Sequence, residues 1–96
     1  MTTEVVIEAS RDVDSGEVYV PPRRLAADGS LRECAPMSLP ARGFLASWTC
    51  YEGDYYGLVD LAHGVRIQVL LGPGPHDVGA VYQGIAGDGP MSFHRV

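Results

Sequence analysis

The amino-acid sequence predicts an all-β fold: a small barrel of five or six strands, preceded by a short N-terminal extension, with little or no helix. Three observations lead to this prediction. Short β-prone segments recur at intervals of about 8–12 residues. The 96 residues include 12 glycines and 7 prolines, so the chain turns often. No segment repeats apolar residues with the period of a helix. A small β-sandwich is the alternative.

Two short β-prone segments precede the main run of strands. Thr3–Glu8 is predicted to be a tail or an edge strand, because the charges at its ends discourage edge-to-edge pairing. Glu17–Val20 ends at Pro21-Pro22, which cannot donate ladder hydrogen bonds. Asp28-Gly29 is a strong turn signal further along the chain.

The strands of the barrel are predicted from Gly43 onwards. A period of two over residues 43–51 places Phe44, Ala46, Trp48 and Cys50 on one face and Leu45, Ser47, Thr49 and Tyr51 on the other. The following predicted elements are a strand at Tyr55–Leu61, a hairpin connection at 62–64 with Gly64 at positive φ, and strands at 65–71, 80–83 and 91–96.

The charge of the chain restricts the classes of partner. The net charge is −5, from 7 basic and 12 acidic residues, and every basic residue is an arginine. An acidic protein lacks the basic surface of a general nucleic-acid binder. A local group of arginines remains compatible with one phosphorylated small molecule or with an acidic partner.

The compartment is predicted from the cysteines and the N-terminus. Cys34 and Cys50 form no disulfide framework and are interpreted as buried hydrophobic residues. Residues 1–13 lack the pattern of a signal peptide, and no segment approaches the roughly 20 apolar residues of a membrane span. We therefore expect a cytoplasmic protein.

Three stretches of the chain together resemble the DUF35 family of OB-fold proteins, over roughly residues 16–85. They are Val-Tyr-Val-Pro-Pro-Arg-Arg at 18–24, Leu-Pro-Ala-Arg-Gly-Phe-Leu-Ala-Ser-Trp-Thr at 39–49, and Tyr-Gly-Leu-Val-Asp-Leu at 56–61 with Gly-Val-Arg-Ile at 64–67. The resemblance implies a small OB barrel at 43–96, preceded in such proteins by a zinc ribbon that begins just after a Pro-Pro-Arg stretch.

The chain departs from the family pattern where the ribbon is expected. A structural zinc site needs four thiolate or imidazole ligands in two close pairs. Between Pro22 and Arg42 there is one cysteine, Cys34, and no histidine. We therefore predict an N-terminal tail or edge strand at 1–15, a degenerate ribbon-like lead-in without metal at 16–42, and no cofactor.

The resemblance also implies a function. Proteins of the DUF35 family look like non-catalytic partners of thiolase-superfamily enzymes. They help to form the acyl-CoA substrate channel of the partner enzyme. Such a hetero-oligomer can also join a hydratase or another enzyme of the pathway. The partner's reaction is thiolysis, condensation or retro-aldol cleavage, in lipid, steroid or polyketide metabolism. Coenzyme A thioesters are substrates of the complex, and no catalytic residue is expected in this chain.

Candidate site residues follow from chemistry and position. Arg23 and Arg24 follow a stiff Pro-Pro segment and could pair with the phosphates of coenzyme A or with an acidic patch of the partner; the alternative is a solvated loop. Predicted partner contacts, for which barrel packing is the alternative, are Tyr19, Pro21, Pro22, Trp48, Tyr51, Tyr55, Tyr56, Met91 and Phe93.

Two other functions stay open at this point. The first is a stand-alone OB-fold module that binds single-stranded nucleic acid or a carbohydrate. The second is a small enzyme that uses His76 beside Asp77 as an oriented base, or one of the cysteines as a nucleophile. No spacing among His63, His76 and His94 indicates a metal site.

Overall fold

The computed structural model of the chain describes residues 5–86 and 91–96. Its strands are β1 (Val6–Asp12), β2 (Val18–Tyr19), β3 (Cys34–Pro40), β4 (Arg42–Tyr51), β5 (Asp54–Asp60), β6 (Arg66–Leu71), β7 (Val81–Ile85) and β8 (Ser92–Arg95). The only helical element in the described residues is one 3₁₀ turn at Ala62–Gly64. The all-β prediction is confirmed. No helix in this part of the chain has the length and apolar character that a membrane span requires.

Five strands close into a barrel in the order β4-β5-β6-β8-β7, and β7 pairs back onto the start of β4. β6 and β8 run parallel, whereas the other neighbouring strands are antiparallel. The strands predicted at 43–51, 55–61 and 65–71 are β4, β5 and β6, which form a three-strand meander, and the prediction of a small OB-like barrel is confirmed. The sandwich alternative is wrong, because the sheet closes on itself.

Two tight connections build the meander. Glu52 and Gly53, with φ values of 51° and 83°, join β4 to β5 as the left-handed pair that a two-residue hairpin needs. His63 and Gly64, with φ values of 61° and 71°, turn the chain between β5 and β6. The positive φ predicted for Gly64 is confirmed.

A β-bulge changes the faces of β4. The pairing register shifts between Leu45 and Ser47, so Ala46 is an extra residue. Leu45 is buried in the core, and Trp48 pairs with Gly57. Gly57 lies on the same face as Leu45, because a Cβ added to Gly57 would come within 2.8 Å of Leu45 Cδ1. Trp48 therefore shares the inner face with Leu45. The predicted grouping of Trp48 with residue 44 is wrong, because strict alternation does not anticipate a bulge.

The barrel core is made by large side chains from several strands. The most buried are Tyr82, Phe93, Leu39, Leu45 and Val59. Phe93 is 1% exposed and lies opposite Gly84 on β7, and Met91 is partly buried against the same core. The prediction that Phe93 contacts a partner is corrected: its position on β8 faces inward, so it offers no surface.

The N-terminal strands form a separate three-stranded sheet in the order β2-β1-β3. β1 pairs with β3 over its whole length, from Val6 with Pro40 to Asp12 with Cys34, and with β2 at two residues. β1 is thus a middle strand at residues 10 and 11, whereas residues 6–8, which belong to the segment predicted as a tail or an edge strand, pair with β3 alone. It extends beyond the predicted end, and the first two residues of that prediction (3–4) lie outside the described residues.

Candidate functional site

A cluster of charges organises the segment that replaces a metal ribbon. The Asp12 carboxylate, whose side chain is 1% exposed, accepts hydrogen bonds from Arg32 Nη2 at 2.8 Å and from Ser15 Oγ at 2.9 Å. Arg32 Nη2 also contacts Asp28 at 2.7 Å. The hydrogen bond from Arg32 holds the pKa of Asp12 well below its ordinary value, although burial opposes the shift. The guanidinium thus ties the loop at residue 28 to the end of β1.

The same segment offers little to a metal ion. Within residues 5–86 and 91–96, no three histidine, cysteine or acidic side chains are arranged to hold a metal. Cys34 is half-buried at the start of β3. Two residues before it, Arg32 adds a positive charge to the cluster of acidic side chains. Cys50 is exposed on β4. The interpretation of Cys50 as a buried residue is therefore wrong, and Cys34 is only half-buried.

The Pro-Pro-Arg segment forms one wall of a depression of about 380 Å³, which we call the proline–arginine groove. It is lined by Val18–Arg23 and by Gly64–Arg66 of the β5–β6 connection. The backbone N–H of Arg23 donates to Ser10 Oγ at 2.8 Å, and its guanidinium carbon lies 5.6 Å from the ring centroid of Tyr19. These two contacts fix the direction of the arginine.

The two predicted arginines do not share this groove. Arg24 is exposed and does not line it, although its carbonyl accepts a hydrogen bond from the backbone N–H of Cys34. The second arginine of the groove is Arg66, on the opposite wall. Arg66 binds Asp60 through two hydrogen bonds, and this contact lowers the pKa of Asp60 and neutralises the charge of Arg66. Arg23 is therefore the groove's available cation.

Four rings meet at one end of the barrel. The centroid of the His76 ring lies 5.5 Å from that of Trp48, 5.0 Å from that of Tyr55 and 5.8 Å from that of Tyr82. Tyr82 is fully buried, and its Oη lies 2.9 Å from His76 Nδ1 and 3.1 Å from the backbone nitrogen of Asp77. His76, carried by the β6–β7 loop, thus closes this end of the barrel.

The hydrogen bonds of Tyr82 Oη suit one arrangement of donors and acceptors. The backbone N–H of Asp77 donates to Tyr82 Oη, and the Tyr82 O–H has His76 Nδ1 as its one acceptor in the described residues when the imidazole carries its proton on Nε2. This atom is buried and has no hydrogen-bond partner within the described residues. It lies among aromatic rings, which can accept a weak N–H contact.

The side chains of His76 and Asp77 point in different directions. The Asp77 carboxylate contacts Arg95 Nη2 at 3.3 Å, and the ring nitrogen of His76 that makes a hydrogen bond uses Tyr82. The geometry does not form the carboxylate-oriented base that an enzyme using this pair requires. His76 has a packing role at the end of the barrel.

The β4–β5 connection carries aromatic side chains on both of its faces; we call residues 48–56 the aromatic hairpin. Trp48 and Tyr55 pack on the inner face, with ring centroids 5.9 Å apart, and Trp48 remains 43% exposed. Tyr51, beside the turn, is 66% exposed. Tyr56 lies on the opposite face, beside Thr49. The four predicted aromatic contacts of the hairpin thus form two pairs on opposite faces, Trp48 with Tyr55 and Tyr51 with Tyr56.

The tip of the aromatic hairpin is acidic. Glu52 and Asp54 flank Gly53, both are exposed, and neither forms an ion pair with a described residue. Three of the exposed large apolar side chains, at residues 44, 48 and 51, belong to β4. An exposed aromatic strand next to unpaired carboxylates is suited to contact with an apolar surface that carries basic residues.

The chain matches no protein-family model, and no curated protein is significantly similar to it. The resemblance to the DUF35 family rests on the three sequence stretches given above, and membership of that family stays a prediction.

Sequence reasoning missed two residues that shape these surfaces. Tyr82 anchors the ring cluster, and its alternation with Ala80 within the strand predicted at 80–83 was a usable signal for an inward position. Asp12 has no comparable signal. Its partner Arg32 is 20 residues away along the chain, and only the pairing of β1 with β3 brings them together.

Proposed function

We propose that this chain is a non-catalytic, DUF35-like OB-fold subunit of a hetero-oligomer with a thiolase-superfamily enzyme in the cytoplasm. The aromatic hairpin is the proposed docking element. The observation that supports this most directly is the exposure of Trp48 and Tyr51 on one hairpin of a closed barrel. Tryptophan and tyrosine are the residue types that most often dominate the binding energy of interfaces.

The hairpin has the properties of a preorganised contact. Its two-residue turn sets the strand register, so Tyr51 and Trp48 are held before any partner arrives. A side chain that is ordered in advance loses less entropy on binding. The acidic tip formed by Glu52 and Asp54 implies a partner surface with lysine or arginine around an apolar pocket.

The proline–arginine groove is the proposed contact for the phosphates of coenzyme A. Arg23 is held over Tyr19 and has guanidinium nitrogens to offer, whereas Arg66 is occupied by Asp60. Arg24 adds a second exposed positive charge next to it. The carbon–carbon chemistry of the complex, whether thiolysis, condensation or retro-aldol cleavage, belongs to the partner in this proposal.

Co-purification tests the docking element. The chain is co-expressed with a thiolase-like enzyme encoded next to it, and the complex is measured by size-exclusion chromatography and calorimetry. Tyr51→Ala is expected to weaken the complex roughly thirtyfold, the effect of losing a hot spot worth about 2 kcal/mol. Val78→Ala, which truncates an exposed side chain on the β6–β7 loop, is the matched control and leaves affinity unchanged.

The result that contradicts the proposal is a stable monomer that never co-purifies with such an enzyme. A complex that forms but is insensitive to Tyr51→Ala and to Trp48→Ala would instead remove the aromatic hairpin from the interface. Trp48→Ala is read together with its unfolding temperature, because Trp48 also packs against Tyr55 and His76.

A further inference from the structure

A depression of about 460 Å³ lies where the N-terminal sheet leads into the barrel, and we call it the junction pocket. Its lining includes Pro40 at the end of β3, Phe44 of β4 and Val81 of β7. None of its lining residues belongs to the aromatic hairpin or to the lining of the proline–arginine groove. A concave site of this size between two structural units is in the range of small-molecule sites.

The walls of the junction pocket are apolar apart from Arg42 and Asp60. Phe44 pairs with Asp60 on β5 and with Val81 on β7, so it lies between these two residues on the outer face of the barrel. Its side chain is 58% exposed, and its ring packs against no other aromatic ring of the described residues. The Phe44 ring therefore offers its surface to a ligand.

One of the two charged residues of the junction pocket keeps its charge available. Asp60 accepts two hydrogen bonds from Arg66, so its charge is already compensated. Arg42 is exposed and forms no ion pair with a described residue. Its Nη1 donates to Gln83 Oε1 at 3.3 Å, a neutral acceptor, which leaves other guanidinium N–H groups for a ligand. The pocket thus combines apolar walls with a single uncompensated cation.

We propose that the junction pocket binds a small aromatic monocarboxylate. The planar guanidinium of Arg42 matches a carboxylate, to which it can donate two parallel hydrogen bonds. The aromatic body of the ligand packs against Phe44 and Val81, since aromatic rings pair favourably in offset or edge-to-face arrangements. A second anionic group on the ligand would lose water without gaining a cation, because Arg66 is occupied by Asp60.

This inference rests neither on the proposed enzyme partner nor on coenzyme A. The phosphates of coenzyme A are assigned to Arg23, in a groove that shares no lining residue with the junction pocket. Docking is assigned to Trp48 and Tyr51 of the aromatic hairpin. Carboxylate binding is measured on the isolated chain, so failure of one proposal leaves the measurement of the other intact.

The test is a titration of the isolated chain with naphthoate, followed by amide chemical shifts in nitrogen-15-labelled protein. Three probes are compared with it: naphthamide lacks the charge, octanoate lacks the ring, and acetate lacks the apolar body. We expect saturable binding of naphthoate, tighter than that of the other three, with shifts concentrated at residues 40–44, 60–62 and 81. Added salt should weaken the binding of naphthoate more than that of naphthamide.

Variants assign the binding to the junction pocket. Arg42→Met removes the cation from an exposed position and should weaken naphthoate binding roughly tenfold, the effect of losing a hydrogen-bonded charge pair, with naphthamide binding nearly unchanged. Arg24→Met removes another exposed arginine and is the matched control. Phe44→Ala should weaken the binding of both aromatic probes, whereas Val78→Ala, which truncates another exposed side chain, should weaken neither.

The proposal is wrong if naphthoate does not bind saturably, or if its shifts lie away from the junction pocket. It is also wrong if octanoate or naphthamide binds as tightly as naphthoate, because the ring and the charge must both contribute. Equal weakening by Arg42→Met and Arg24→Met would show that naphthoate responds to the overall charge of the protein and not to this site.

Discussion

Removing one buried hydroxyl tests how the end of the barrel is closed. Tyr82→Phe keeps the fully buried ring and deletes the oxygen that pairs with His76 Nδ1 and with the backbone N–H of Asp77. Each intramolecular hydrogen bond contributes about 1 kcal/mol, so the loss of two lowers the free energy of unfolding by about 2 kcal/mol. For a domain of this size, the unfolding temperature should fall by about 8–16 °C.

Urea unfolding followed by fluorescence measures this loss, and a matched variant controls for it. Tyr56→Phe deletes a hydroxyl that has no partner in the described residues, so its effect should stay within about 0.5 kcal/mol. Nitrogen-15 shifts of the imidazole provide a second readout. His76 should carry its proton on Nε2 in the unmodified chain and lose that preference in Tyr82→Phe.

If Tyr82→Phe and Tyr56→Phe unfold at the same urea concentration, the two hydrogen bonds of Tyr82 do not stabilise the barrel. A double variant gives a second test. Because Tyr82 and His76 are in contact, Tyr82→Phe combined with His76→Ala should cost less than the sum of the two single changes. Additive effects would show that the hydrogen bond does not couple the two residues.

Three further predictions concern stability. The pKa of Asp12 is lowered in the folded protein, so the stabilisation from its charge should be complete above about pH 5 and fade as the pH falls below about 4. In urea unfolding, Asp12→Asn should lower the stability at pH 7 and make it depend less on pH in acid. The control Asp54→Asn should have neither effect. Gly43→Ala places a methyl group against the backbone carbonyl of the neighbouring strand and should cost roughly 1–3 kcal/mol, whereas Gly74→Ala, where the nearest atom is 3.6 Å away, should be close to neutral in the same assay. Phe93→Ala empties part of the core and should cost about 3–5 kcal/mol; a smaller loss than Gly43→Ala would show that its site collapses.

The sequence predicted the parts of the fold that depend on local pattern. Alternation and turn residues located β4, β5 and β6, because each strand is bounded by a glycine-containing turn. β3 escaped prediction because it contains Pro36 and Pro40, which normally argue against a strand. It tolerates them as an edge strand, since its pairing partner in the described residues is β1 alone.

The candidate site was predictable only in part, for a geometric reason. Composition selected Trp48 and four of the five tyrosines as partner contacts, and these side chains are exposed or half-buried, but the faces of those on the hairpin depend on one inserted residue in β4. The extra residue at Ala46 turns Trp48 toward Tyr55 and away from Tyr56. A bulge of this kind has no distinctive residue here, so alternation alone assigns the wrong neighbours.

Ion pairs of Arg32 with Asp12 and Asp28 order the N-terminal segment. Arg32 joins β1 to the residues just before β3, and the chain between them, which includes β2 and the Pro-Pro-Arg stretch, is thereby closed into a loop. Two residues before Asp12 on the same strand, Ser10 Oγ accepts a hydrogen bond from the backbone N–H of Arg23. The direction of Arg23 in the proline–arginine groove therefore depends on β1, whose C-terminal end is tied to Arg32 by the Asp12 carboxylate, a charge that is lost in acid. If Arg23 binds a phosphate, its affinity should weaken with Asp12→Asn although residue 12 lies outside the groove lining.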